Sequence, residues 1–198
     1  MKSVLISIRP KWCELIANGK KTIEVRKTAP KIETPFKCYI YCTKDVKDSD
    51  RLCVLNKQRR AEYEGLLAVC AYLEECPENH SIGNGKVIGE FVCDKIIDIV
   101  PIQDGGGYVM YGGAIDDTCF SDKKLNDYLN GNGGYGWHIS DLKIYEKPKE
   151  LREFGTLAIS RDWERGINPF IIKRRWYKPA TRPPQSWCYV EELNETDI

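Results

Sequence analysis

The chain has 198 residues, 42% of them hydrophobic and 30% charged, a balance that supports one core of ordinary size. Thirty basic and 29 acidic side chains leave a formal net charge of +1. That excludes a histone-like polycation and confines any nucleic-acid contact to a local patch. The longest uninterrupted apolar run, residues 66–73, is far short of the roughly 20 residues of a membrane-spanning helix.

Residues 4–8 read V-L-I-S-I, a branched run expected to form a strand. Pro10 suits the first turn of a helix, and Trp12, Leu15 and Ile16 recur at helical spacing. Asn18-Gly19 stops that helix, because glycine accepts the left-handed cap conformation. Residues 22–26 alternate, so Ile23 and Val25 face one way and Thr22, Glu24 and Arg26 the other. A β-α-β opening is thus expected, and residues 36–43 form a third strand.

Residues 44–85 differ in character. They begin with mixed charges, turn helical over 59–75 and end in a Gly-Asn-Gly turn. The segment is too small for its own core and is read as a helical insertion. Residues 87–100 carry the longest strand signal, with Gly89 as a bulge or a close backbone approach. Residues 103–136 are rich in loops and include a short helix from Ser121, with Leu125, Tyr128 and Leu129 as its stripe. Strand character resumes over 137–145. A turn or short helix over 148–154 precedes an excursion over 155–168 and a strand over 170–177. Residues 186–193 form a closing strand. The glycine clusters at 83–85 and 131–134 lack phosphate-loop or dinucleotide spacing and are turns. The sum is a small mixed α+β domain of five or six strands.

Nine cysteines, an odd number without Cys-x2-Cys pairing, point to reduced thiols and a cytoplasmic setting. Cys38 and Cys42 fall on one strand face. Cys70, Cys76 and His80 show no paired zinc spacing, so buried free thiols are favoured over a structural zinc site, and no metal or cofactor is expected.

Residues 19–26, G-K-K-T-I-E-V-R, fit Gly-x-Lys-x-x-Glu-x-Arg. They follow a strand and short helix and lead into the next strand. With residues 5–10 (L-I-S-I-R-P) and 87–91 (V-I-G-E-F), this resembles the ASCH domains of the PUA-like superfamily. The resemblance covers about 2–43 and 87–145, with 186–192 as closing strand. It implies a compact β-barrel with packed helices and an RNA- or nucleotide-facing cleft beside the motif. The chain is then one domain over 1–198, with insertions at about 44–85 and 155–184.

Three groups of residues are candidates for that cleft. The first is Ser7, Arg9, Lys11, Trp12, Lys21, Glu24 and Arg26. Here Lys21 reaches a phosphate or sugar, Glu24 and Arg26 orient each other or grip a polar edge, and the helix start offers free N–H groups. Charge alone favours a surface ion pair on an exposed sheet face, the resemblance favours a functional pair, and Trp12 is either a stacking platform or core. The second is the run Tyr135-Gly136-Trp137-His138. Aromatic cages in the YTH and EVE relatives make it a candidate base pocket, with core packing as the alternative. The third is the basic-aromatic run Lys173, Arg174, Arg175, Trp176, Tyr177 and Lys178, with Arg182, which suits a single strand or a solvated face. Trp187 would close over the cleft.

Some ASCH proteins are amidohydrolases of acetylated cytidine, and that resemblance implies a lysine, a threonine three residues on and a later glutamate. Lys21 matches, but position 24 is Glu24, and Thr22 is one residue on and faces away. Glu90 would have to supply the carboxylate, so Lys21, Glu24 and Glu90 are the catalytic candidates. A ribonuclease would use Lys21, Arg26 and His138 around a phosphorane-like charge. Binding of RNA or a nucleotide without catalysis is the favoured expectation. The alternatives are a small hydrolase and a regulatory factor that binds a protein partner through 44–85. No membrane partner is expected.

Overall fold

The computed structural model describes residues 3–44, 83–102, 107–159 and 175–192. The helix expected over 59–75, the Cys70, Cys76 and His80 group, and Lys173 and Arg174 lie outside them. Two sheets carry the fold. The larger runs in the order β10 (Arg175–Pro179), β9 (Phe154–Ile159), β11 (Trp187–Glu192), β1 (Ser3–Ile8), β3 (Phe36–Cys42), β4 (Val87–Cys93), β8 (Ser140–Lys149). The smaller runs β2 (Ile23–Arg26), β7 (Gly134–His138), β5 (Ile96–Pro101), β6 (Tyr108–Met110). Both sheets run from one edge strand to another, so the expected barrel is not closed among the described residues. The mixed α+β class holds.

The opening follows the sequence. Branched residues make β1, and Pro10 begins α1 (Pro10–Ala17). Gly19, at φ +69°, turns the chain back, a conformation that side chains with a Cβ resist. The β-α-β expectation changes in one respect. β2 leaves for the small sheet, and β1 pairs in parallel with β3 instead.

Alternation along β1 and β3 divides the core. Val4, Ile6, Ile8, Cys38, Ile40 and Cys42 face inward, where they meet Cys13 and Ile16 of α1 and Trp137 of β7. Leu5, Tyr39 and Tyr41 pack on the other face with Phe154 and Val190. On the far side of the small sheet, Ile23, Val25, Ile97 and Ile99 pack under Leu125 and Leu129 of α2 (Asp122–Leu129). Each of those leucines contributes about 1.5–3 kcal/mol by leaving water.

The single strand expected over 87–100 is two strands in different sheets. The charged pair Asp94-Lys95 is where the chain crosses. Gly89 is a bulge, since the register with β8 shifts there. A Cβ at Gly89 would stand 2.4 Å from the Lys143 carbonyl oxygen, so no larger residue fits without backbone movement. The excursion expected from 155 is instead strand as far as Ile159, because β9 pairs with β10 and β11. No disulfide joins the cysteines of the described residues. Cys38 and Cys93 are buried, and burial pushes the Cys93 thiol up to about 12, which keeps it protonated and inert. Among the described residues no helix is long and apolar enough to cross a membrane.

Candidate functional site

The polar face of β2 meets the end of β1, through Arg26 and the Ser7 carbonyl. Three charged side chains are buried there: Lys21 is 1% exposed, Glu24 6% and Arg26 6%. They form one chain of charge. The Glu24 carboxylate accepts from Arg26 Nη2 at 2.9 Å and lies 3.4 Å from Lys21 Nζ. Arg26 Nη2 also donates to the Ser7 carbonyl at 2.7 Å. Lys21 Nζ donates to the carbonyls of Ile23 at 2.8 Å and Thr118 at 2.6 Å.

Lys21 therefore does not do what its sequence position suggests. Its ammonium is consumed by protein acceptors and ties β2 to the turn over 115–118, so it does not reach a ligand phosphate. Burial lowers its pKa, against the opposing pull of Glu24. That turn is itself held by the Thr22 amide, which donates to the Asp117 carbonyl at 3.1 Å.

Beside this cluster lies a cleft of about 990 Å³. Glu24, Val25 and Arg26 form its floor, and Pro183–Ser186 and the strand end Ser7-Ile8 form one wall. The opposite wall is aromatic. Trp12 and Phe120 stack at 4.6 Å with an interplanar angle of 12°, and Phe120 meets Tyr128 at 5.8 Å. Lys21 Nζ sits 5.1 Å from the Trp12 centroid and 5.2 Å from that of Phe120, within cation–π range. Arg9, Lys27 and Lys124 are exposed at the rim. Lys11 is exposed beside Trp12, at 5.3 Å from its ring.

The structure thus joins Ser7, Arg9, Trp12, Glu24 and Arg26 in one cleft, with Lys11 at its edge. Ser7 acts through its carbonyl, because its hydroxyl donates to the Pro184 carbonyl at 2.7 Å. Trp12 resolves toward the wall rather than the inner core. Phe120 and Tyr128 escaped the sequence reading as cleft residues. Spacing puts Tyr128 on the α2 stripe, where it is only partly buried and also lines the cleft.

Several candidates lie elsewhere. Trp137 is fully buried, edge-on to Phe36 at 5.8 Å, and packs on Trp187. It is core, and a base cannot reach its faces. His138, the next residue on β7, points the other way and pairs with Asp94 at 2.7 Å. The ribonuclease grouping of Lys21, Arg26 and His138 is therefore not assembled. Trp187 does not lid the cleft. It is half-buried and braces the wall by donating from Nε1 to Thr28 Oγ1 at 3.0 Å. Arg175 begins β10, at the outer edge of the large sheet and three strands from β1.

Glu90 is on the wrong face for the amidohydrolase grouping. It pairs opposite Tyr39, whose side chain belongs to the outer face of the large sheet. There Glu90 accepts from the Tyr145 hydroxyl at 2.6 Å and from Lys37 at 3.2 Å. Burial alone would raise its pKa, but these bonds and the nearby Lys37 and Lys143 charges hold it below the ordinary carboxylate range. A lowered carboxylate stabilises the fold above its unfolded pKa, and that stability is lost as pH falls through the folded value. Tyr145→Phe is expected to cost about 1–2 kcal/mol at pH 7. The deficit should fade as the pH falls below about 4. Urea midpoints measured across that range check both statements.

Among known proteins, a family model of the ASCH domain matches residues 6–104. Of solved structures, the ASCH protein from Zymomonas mobilis superposes with a TM-score of 0.48 at 15% identity, over 99% of this chain and 90% of that one. A serine-to-alanine variant of that protein gives 0.49 at 15% identity, over 99% and 91%. No curated protein matches the chain.

Proposed function

Since the chain belongs to the ASCH domain family, we propose that it binds single-stranded RNA or a nucleotide in the cleft beside β2. The reading rests on one arrangement: an aromatic wall of Trp12, Phe120 and Tyr128 faces a buried carboxylate–guanidinium pair under a cationic rim. Each part matches one part of a nucleotide. Rings stack on bases without regard to sequence. The floor offers an acceptor in Glu24 and donors in Arg26 for a base edge. Exposed Arg9, Lys27 and Lys124 serve phosphates as point charges.

The arrangement gives the hydrolase reading no support, since Lys21 is spent within the fold and Glu90 faces away. Lys21 is an organising residue here: it holds the turn that delivers Phe120 onto Trp12.

The test is fluorescence anisotropy with a short labelled oligoribonucleotide. Trp12→Ala and Phe120→Ala should each weaken binding about tenfold. The affinity should fall with salt at a log–log slope of roughly −2, as expected for about three phosphate contacts on a single strand. Affinity that ignores both salt and the aromatic substitutions would overturn the reading.

A further inference from the structure

β2 is the outer strand of the small sheet, so one of its hydrogen-bonding edges has no neighbouring strand. Three contacts identify the residues on that open edge. The Thr22 carbonyl accepts from the Ile139 amide at 2.8 Å, so Thr22 bonds on the β7 side. The His138 amide donates to the Lys95 carbonyl at 3.0 Å, so His138, opposite Ile23, turns away from β2. The Ile23 carbonyl is the one that Lys21 Nζ caps. Main-chain groups alternate along an antiparallel ladder. Glu24 and Arg26 therefore bond to β7, while Ile23 and Val25 turn their N–H and C=O outward.

Lys21 covers the Ile23 carbonyl. Val25 has no equivalent cap: its side chain is in the core under α2, and its backbone lies at the cleft floor between Glu24 and Arg26. No hydrogen bond from beyond the small sheet reaches its main chain among the described residues. Buried main-chain groups rarely go without partners. A second donor at the same floor is in the same condition, since Arg26 Nε is buried with no partner. Neither donor meets a protein acceptor among the described residues, and a molecule seated on the floor is what can supply one.

Building on the RNA reading above, we propose that the main chain of Val25 reads the base. Its N–H donates to a ring nitrogen or carbonyl, and its C=O accepts from the neighbouring amino or imino group of a nucleobase edge. The aromatic wall and cationic rim favour a nucleotide over an extended peptide, which the same edge would accept as an added strand. Reading by main chain suits this position, because the ladder already fixes both groups and no side-chain freedom is lost on binding.

The experiment replaces the amide at Val25 with an ester in the full chain, by incorporating the α-hydroxy acid analogue of valine. This deletes the N–H, which is outside the ladder, and weakens the Glu24 carbonyl as an acceptor, which is inside it. The ester protein should stay folded with a slightly lowered thermal midpoint and bind a short oligoribonucleotide about three- to tenfold more weakly, the loss of one hydrogen bond. Both proteins should bind an abasic version of that oligonucleotide equally. Equal RNA affinity of ester and native proteins, with Trp12→Ala still weakened, would overturn the role of Val25 and leave the cleft reading standing. RNA binding absent from the native chain would remove both. Binding of an extended peptide instead of RNA, weakened by the ester, would overturn the base-reading proposal in favour of strand addition.

Discussion

Glu24→Gln is expected to lower the stability of the fold by about 3–5 kcal/mol, the usual cost of leaving buried charge without its partner. Glu24 is the only acidic member of its three-residue cluster, and it faces both Lys21 and Arg26. Neither cation has water to fall back on, at 1% and 6% exposure. In a chain of this length such a loss lowers the thermal midpoint by roughly 10 °C. The deficit should depend on pH. Burial depresses the Lys21 pKa, and Glu24 opposes that. Without Glu24 the amine sheds its proton sooner. The unfolded chain then holds more protons than the folded one, so the variant gains stability as pH rises toward the ordinary lysine value. Lys21→Met in the Glu24→Gln background should recover part of the loss at pH 7. Urea midpoints of the two variants from pH 7 to 10 decide it. Wild-type stability in Glu24→Gln would sink this account of the cluster.

Trp137→Ala should cost about 3–5 kcal/mol. The ring is wholly buried, edge-on to Phe36 and against Trp187, in the layer between the sheets. Trp137→Phe should cost far less: it retains most of the apolar surface and removes an indole N–H that is buried without a partner. Both should keep their RNA affinity wherever the protein is folded. A ligand-contacting Trp137 would give the opposite pair of results, with affinity lost and stability kept. Denaturation and anisotropy on the same two variants separate these outcomes. Trp12→Ala, on the cleft wall, should behave in the reverse manner to Trp137→Ala.

The contrast between those tryptophans shows what the sequence carries. Local order was legible: the strand–helix–strand opening, the Asn18-Gly19 stop, the Gly89 bulge and the division of β2 into Ile23/Val25 and Glu24/Arg26 faces all follow from periodicity and backbone preference. The ion pair of Glu24 with Arg26 is one of the two roles that this alternation allows. Burial set by distant partners was not legible. A lysine is usually exposed, and nothing near Lys21 announces that the Thr118 carbonyl, 97 positions away, will cap it. Glu90 alternates correctly on its strand, but alternation does not say which face of a sheet looks toward β2. Residues 87–100 read as one strand because both halves are apolar, although the chain changes sheets at Asp94-Lys95. Phe120 sits in a turn whose shape comes from the Thr118 hydroxyl and from bonds to residues 20–22, so its approach to Trp12 left no periodic trace.

The hydrogen bond from Ser7 to Pro184 spans 177 positions, and β11 docks directly against β1. The hollow beside β2 is thus walled by segments from opposite ends of the described chain. During synthesis, everything through α2 can emerge and begin to pack while that wall is still inside the ribosome. Under the proposed RNA reading, recognition needs β11 in place: a nascent or clipped chain lacking it would carry the aromatic row and the charged floor without the shape that brings them to bear.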